Sequence, residues 1–378
     1  MTGAREWVEW APTRRGEALS AWADAIEADR TRLGALESSS VGRPLAEAEA
    51  EVVTAAGRCR FWAGLADKVS GRQTPSAPDL LTYVPRVPVG VVGVAPSWRG
   101  PTFGLVDAAG AALACGNAVE VTPSVDAPLS ALRVVELALE AGLPAGLIDV
   151  APRVPSAVLT VRPGGSSVAV VFADADLDAA ADEAVNGVFV NAGGYLAGAT
   201  RVLVERPVAA AFGERLVERL GAVRTGGPTE PGTTLGPLPG RTLAERYRDY
   251  CAAAAREAHI LGGVGDAGGR SVAPAVVTGV EWGSPLAGRE VSGPALAVLA
   301  FDTEEQARKV ADEPVFEAGA TVWTGDLGRL FRMVDRLRAT TVLGNTVRRL
   351  APVPLFGGRT EIEALTRGRQ VAIDRAVR

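Results

Sequence analysis

Apolar residues recur at helical spacing over residues 15–36 and again from Pro44 to Val69, and both stretches read as amphipathic, surface-covering helices. The second opens on a proline with acidic residues close behind, a helix-start signature. After a loop rich in Ser, Pro and Gly at 70–79 the pattern changes. VPVGVVGVAP (87–96) is a continuous β-branched run of the kind that forms a strand buried on both faces. A helix at 102–114, the strand AVEVTP (118–123), a helix from Pro128 to Ala141 halted by Gly142, and the strand LIDVAP (147–152) follow. Strand, helix, strand, helix, strand is the rhythm of a parallel doubly wound sheet. It restarts after Gly165 with SVAVVF, a helix at 176–187, RVLVER, and helices at 208–220 and 241–257. APAVVT, LAVLAF, a helix at 303–312, GATVWT, a helix at 326–338 and TTVLGN complete it. Two α/β lobes are expected, meeting near 153–165.

A chain of 378 residues, 47% apolar and 22% charged, has room for two or three domains with real cores. The formal charge of -5, with no basic block, leaves no footprint for nucleic acid or an anionic membrane. The start, MTGAREWVEW, lacks the apolar core of a signal peptide, and runs such as PALAVLAF (294–301) are too short to span a bilayer, so a cytoplasmic protein is expected. Cys59, Cys115 and Cys251 are widely spaced and His259 is the single histidine. Neither a disulfide framework nor a His/Cys metal site is expected, and Ser-His or Cys-His catalysis would require His259 as the base. Lys68 and Lys309 are the only lysines, so lysine Schiff-base chemistry has almost no candidates. Cys115 reads as a packed structural thiol, Cys59 as inert at or near the surface, and His259 as a cap on the 241–257 helix.

Several segments, taken in order, resemble the aldehyde dehydrogenase superfamily: PVGVVGV (88–94), ALACGNAVEVTPS (112–124), PLSALRVVELALEAGLPAG (128–146), FADADLDAA (172–180), NAGGYLAGATRVLVE (191–205), REVSGPALAVLAFDTEEQA (289–307) and PLFGG (354–358). Their order and spacing fit most of the chain from about residue 7 onward. The resemblance implies two α/β lobes with mainly parallel sheets, the first a Rossmann-like cofactor lobe and the second the catalytic lobe, with the active site in the crevice between them. The corresponding boundaries are 1–160 for a truncated former cofactor lobe with its N-terminal helices, 161–358 for the catalytic-type lobe and 359–378 for a shortened tail.

Residue by residue, the motifs depart from the family. The position matching the nucleophilic cysteine is Leu196, preceded by Tyr195. Arg162, in RPGGS, falls at the general-base glutamate, and Arg99, beside Trp98 in PSWRGP, falls at the asparagine that donates to the oxyanion. Thr122 replaces the lysine that steadies the cofactor ribose, whereas Glu290 matches a glutamate that contacts the nicotinamide-side ribose. Only RVPSAVLTV (153–161) stands where family members carry a strand and helix that receive the cofactor phosphates.

These departures lead to the expectation that NAD(P)-dependent aldehyde oxidation has been lost and that neither cofactor nor metal is bound. On that expectation Arg99, Arg162, Trp98, Leu196 and Glu290 line a crevice for an anionic small molecule. Tyr195, Arg162 and Arg99 are then the candidates for a cofactor-independent cyclisation, isomerisation or lyase reaction. A non-catalytic pseudoenzyme partner of another enzyme is the alternative, and a residual dehydrogenase with an altered mechanism a weaker one. DLLTYVPRV (79–87) matches part of the family's oligomerisation hairpin, which points to a homodimer or a hetero-oligomer.

Overall fold

The computed structural model describes every residue except 1–2, 76, 153–159, 162–166, 190–191, 193–198, 262–267, 289–292, 314–318, 340, 347–363 and 375–378. The chain divides into two compact units: Met1–Gly34, Glu49–Pro163 and Phe356–Arg378 form the first, Ala35–Ala48 and Gly164–Leu355 the second. The division falls at 163/164. Residues 35–48 join the second unit and the C-terminal segment returns to the first, two exchanges that lobe-by-lobe reading of the sequence did not contain.

The chain opens with four helices, α1 (Gly3–Glu9), α2 (Pro12–Ala28), α3 (Arg30–Val41) and α4 (Leu45–Ala63). The expected single helix over 15–36 is two, because the chain leaves helical geometry at Asp29 and restarts at Arg30. Short strands β1 (Arg72–Thr74), β2 (Leu80–Val84) and β3 (Arg86–Pro88) lead to β4 (Val91–Val94), then α5 (Pro101–Ala114), β5 (Ala118–Val121), α6 (Pro128–Glu140), β6 (Ile148–Val150) and β7 (Thr160–Val161). Their four-stranded sheet runs β6-β5-β4-β7, every pair parallel. Nearly all of α5 is buried, as its run of small apolar residues requires. Two indoles fix the covering helices: Trp7 Nε1 donates to Leu113 O at 2.9 Å and Trp22 Nε1 to Val134 O at 3.1 Å. A buried indole needs such an acceptor, so each bond sets a helix at one height.

The second unit contains β8 (Ser167–Val171), α7 (Leu177–Phe189), β9 (Ala199–Glu205), α8 (Arg206–Leu220), α9 (Arg241–Glu257), β10 (His259–Leu261), β11 (Ala275–Thr278), α10 (Pro285–Gly288), β12 (Ala295–Phe301), α11 (Glu304–Ala311), β13 (Gly319–Trp323), α12 (Leu327–Arg336) and β14 (Thr341–Gly344). Its seven-stranded sheet runs β10-β11-β12-β9-β8-β13-β14, parallel throughout except for β10. Successive side chains alternate faces: Val168, Val170 and Leu203 join one core with Tyr247, Ala307 and Met333, and Ala169, Val171, Val202 and Val204 join the other with Val188, Phe212 and Leu216. Both faces being covered is why these strands read as unbroken apolar runs.

The last strands, β15 (Thr366–Gly368) and β16 (Val371–Asp374), pair antiparallel with β3 and β2 in the first unit. The expected α/β architecture with mainly parallel sheets is therefore the one observed.

Candidate functional site

β4 is the strand at which the first sheet changes its direction of winding, with β5 on one side and β7 on the other. Ligands of open parallel sheets bind outside the carboxyl ends of the strands at such a switch. After Val94 the chain turns through 95–100 into α5. Ser97 closes that turn: its Oγ accepts from Arg99 N at 3.2 Å and its carbonyl from Gly100 N at 3.3 Å. Pro101 then takes the first helical position, where a missing N–H costs nothing. At Gly100 an added Cβ would stand 3.1 Å from Glu51 Oε1 on α4, a contact that a small shift of that carboxylate relieves. The turn carries Trp98 and Arg99, both half-buried, with the guanidinium carbon 5.7 Å from the centre of the indole ring. On the adjacent strand end, Thr122 N donates to Val94 O at 2.9 Å, and the Thr122 hydroxyl is buried with no hydrogen-bond partner.

The helix that follows the turn carries a buried ion pair that sequence reasoning missed. Asp107 Oδ1 accepts from Arg58 Nε at 2.8 Å and from Trp62 Nε1 at 2.7 Å, which ties α5 to α4. Asp107 is 1% exposed and Arg58 8%. The signal was available: Asp107 is the one charged residue in PTFGLVDAAGAALA. A carboxylate in such a run is buried and must be paired.

Of the six candidate residues, the structure describes Trp98 and Arg99. Arg162, Tyr195, Leu196 and Glu290 lie outside the described residues. Other expectations are corrected. Cys59 is fully buried, with Sγ donating to Leu19 O at 3.3 Å, and burial pushes its thiol well above the ordinary range. His259 does not cap a helix but begins β10, opposite Thr278. Burial also raises the Cys251 thiol, so neither Cys59 nor Cys251 has the depressed pKa of a nucleophile. Among the described residues no group of three or more His, Cys, Asp or Glu side chains could hold a metal, and no helix is long and apolar enough to cross a membrane.

A second polar centre, also unforeseen, brings Arg201 of β9 near Tyr250 of α9. Arg201 is 1% exposed, with Glu313 Oε2 at 3.9 Å from its Nη1. The Tyr250 hydroxyl is buried without a hydrogen-bond partner, and burial, opposed in part by the Arg201 charge, pushes its pKa up to about 12. Beside it Tyr247 donates to Ala273 O at 2.7 Å and lies 3.1 Å from Pro294 O. An arginine in the otherwise apolar ATRVLVE was the sequence signal.

A model described as the aldehyde dehydrogenase family matches residues 2–161 and 156–362. A betaine aldehyde dehydrogenase of Cereibacter sphaeroides is 36% identical over 400 residues, covering 94% of this chain and 82% of that protein. Among solved structures, a putative aldehyde dehydrogenase from Burkholderia cenocepacia superposes with a TM-score of 0.91 at 30% identity, covering 99% of this chain and 91% of that one. PnpE in complex with nicotinamide adenine dinucleotide superposes with a TM-score of 0.91 at 27% identity, covering 99% and 88%. These likenesses overturn the expectation of a cofactor-independent, repurposed enzyme or a pseudoenzyme. Over nearly its whole length the chain matches a protein named for aldehyde oxidation, and its fold matches one that holds the dinucleotide.

Proposed function

This chain belongs to the aldehyde dehydrogenase family, and from that premise we propose that it oxidises an aldehyde to the carboxylic acid with NAD as hydride acceptor. The observation that carries the reading is the 36% identity, over 94% of the chain, to a betaine aldehyde dehydrogenase. Betaine aldehyde and other small aldehydes are the substrates to assay first.

The residues present at the β4 switch fit a dinucleotide in part. The buried Thr122 hydroxyl has no partner, and a ribose hydroxyl is a group that would satisfy it. The turn carrying Trp98 and Arg99 borders the same strand ends. We assign Glu290 to the nicotinamide-side ribose. The phosphate side fits less well. β6 and β7 occupy opposite edges of the sheet and are joined by residues 151–159 alone, fewer than a strand-helix-strand crossover uses.

Leu196 at the family's cysteine position cannot form a thiohemiacetal, so the aldehyde reacts as its hydrate. NAD, when bound, supplies the hydride acceptor. Oxidation of the hydrate would release its C–H hydrogen as hydride to bound NAD and a hydroxyl proton to water, leaving the carboxylic acid. Arg99 and Arg162 stabilise the charge that develops on the hydrate oxygen, as fixed cations do for oxyanions. We place the enzyme in the cytoplasm as a homo-oligomer, with the β2 hairpin region as part of its contact surface.

The experiment is NADH formation from a panel of aldehydes, before and after exhaustive alkylation with iodoacetamide. NADH appears with at least one aldehyde, and alkylation leaves the rate within about twofold because no thiol takes part. Absence of NADH with every aldehyde overturns the function; loss of activity on alkylation overturns the thiol-free route.

A further inference from the structure

We propose that the groove between α8 and the turn after β11 binds a small organic cation, a primary amine or guanidine carried on an aromatic or branched aliphatic body. The site is independent of the dehydrogenase reading. The groove has a volume of about 1130 Å³ and lies wholly within the second unit. Clefts of roughly 300–1,000 Å³ accommodate small organic molecules, so the space is sufficient.

Its apolar lining comes from Ala209, Ala210 and Val217 of α8, from Val280 and Trp282 of the turn, and from Val298 of β12. Trp282 Nε1 donates to Ala300 O at 2.9 Å, which holds the indole against the end of β12. Gly213, at the middle of α8, also lines the groove. A glycine there weakens the helix relative to alanine. Packing does not demand it, because an added Cβ would meet only Leu261 Cδ1, at 4.0 Å, an ordinary contact. What the missing side chain leaves is depth in the groove.

The charge of the lining is one-sided. Glu214 and Glu218 of α8 and Glu281 of the turn are exposed along it, and none of the three takes part in an ion pair among the described residues. The arginines of α8 are committed elsewhere. Arg206 forks onto Asp302, with Nε 2.5 Å from Oδ1 and Nη2 2.7 Å from Oδ2. Arg215 and Arg219 turn to α7, where Arg215 Nε donates to Asp178 at 3.2 Å and Arg219 Nε to Asp182 at 2.5 Å. The helix is thus neutralised on its α7 side and left acidic on its groove side. Glu214 and Glu218, one helical turn apart, repel each other. A bound cation relieves that repulsion, and its apolar body covers Val217, which is 38% exposed.

The probe is phenethylamine, a cation at about pH 7, titrated into the whole protein by calorimetry. Two companions separate charge from body: 2-phenylethanol has the ring without the cation, and propylamine has the cation without the ring. Phenethylamine binds about tenfold more tightly than either, since each companion lacks one of the two attractions. The combined variant Glu214→Gln, Glu218→Gln, Glu281→Gln weakens phenethylamine about tenfold, the size expected of three solvent-screened ion pairs, and leaves 2-phenylethanol unchanged. Gly213→Ala raises the urea midpoint yet weakens phenethylamine about threefold, because the groove is shallower while the helix is stronger. No binding heat from phenethylamine at about 10 mM overturns the proposal. Binding that both variants leave unchanged also overturns it, since the amine then sits elsewhere on the protein. A lysine-rich peptide that binds where phenethylamine does not makes the groove a protein-docking face and overturns the small-molecule assignment. No arm reads NADH formation, so failure of the dehydrogenase reading leaves the result intact.

Discussion

The two sheets of this chain were built to the same rule and finished differently. In the second unit, β8 is buried at every position, β12 at six of its seven, and both faces of the central strands are covered. In the first, the four-stranded sheet ends in β6, three residues with two exposed, and in β7, two residues long. The first unit locks α4 to α5 by the Arg58–Asp107–Trp62 cluster and holds α1 and α2 by indole bonds. The helix that follows the β4 turn thus depends on a few buried polar contacts.

Breaking that dependence should give the largest effect. Asp107→Ala leaves the Arg58 guanidinium buried without its carboxylate and is expected to cost the first unit about 3–5 kcal/mol, read as a lower urea midpoint for signals from Trp7, Trp22 and Trp62. In the second unit Leu299→Ala opens a cavity between covered faces and costs about 2–5 kcal/mol, without moving those indole signals if the units unfold separately. A smaller and more specific effect is expected at the strand ends. Thr122→Val removes a buried, unpartnered hydroxyl and stabilises the protein without NAD by about 1 kcal/mol, while weakening NAD binding about fivefold by calorimetry. If stability falls instead, the hydroxyl has a structural partner and the ribose assignment fails.

The smallest expected effect is at α12. Asp326 Oδ1 accepts from Gly328 N at 2.7 Å and Arg329 N at 3.2 Å, and these backbone bonds hold its carboxyl below the ordinary value. A carboxylate lowered on folding stabilises above its unfolded pKa of about 3.9 and loses that contribution as pH falls through the lower folded value. Amide exchange at the start of α12 should therefore accelerate below about pH 4, and Asp326→Asn should remove most of that dependence.

Most of the regular structure was legible because buried parallel strands are apolar without interruption and the covering helices carry their own period. What escaped depended on contacts distant in sequence. The break at Asp29 interrupts a helical pattern that continues on both sides. The pairing of β16 with β2 joins residues nearly three hundred apart, which no local signal records. Cys59 looked accessible beside two arginines, yet its helix turns it inward under Leu19. Trp98 and Arg99 stand half-buried on the turn after β4, whereas Asp107 gains meaning only from the partners folding gives it. Motif substitutions alone led to the wrong function, because reading them one at a time gave too little weight to the likeness of the whole chain.

The central claim is that hydride passes from an aldehyde carbon to NAD on this protein. Supplying an aldehyde deuterated at C1 and examining the reduced cofactor by mass spectrometry tests it most directly. The account predicts reduced cofactor one mass unit heavier and a deuterium-free acid at that carbon; no reduced cofactor, or reduced cofactor without the label, would contradict it.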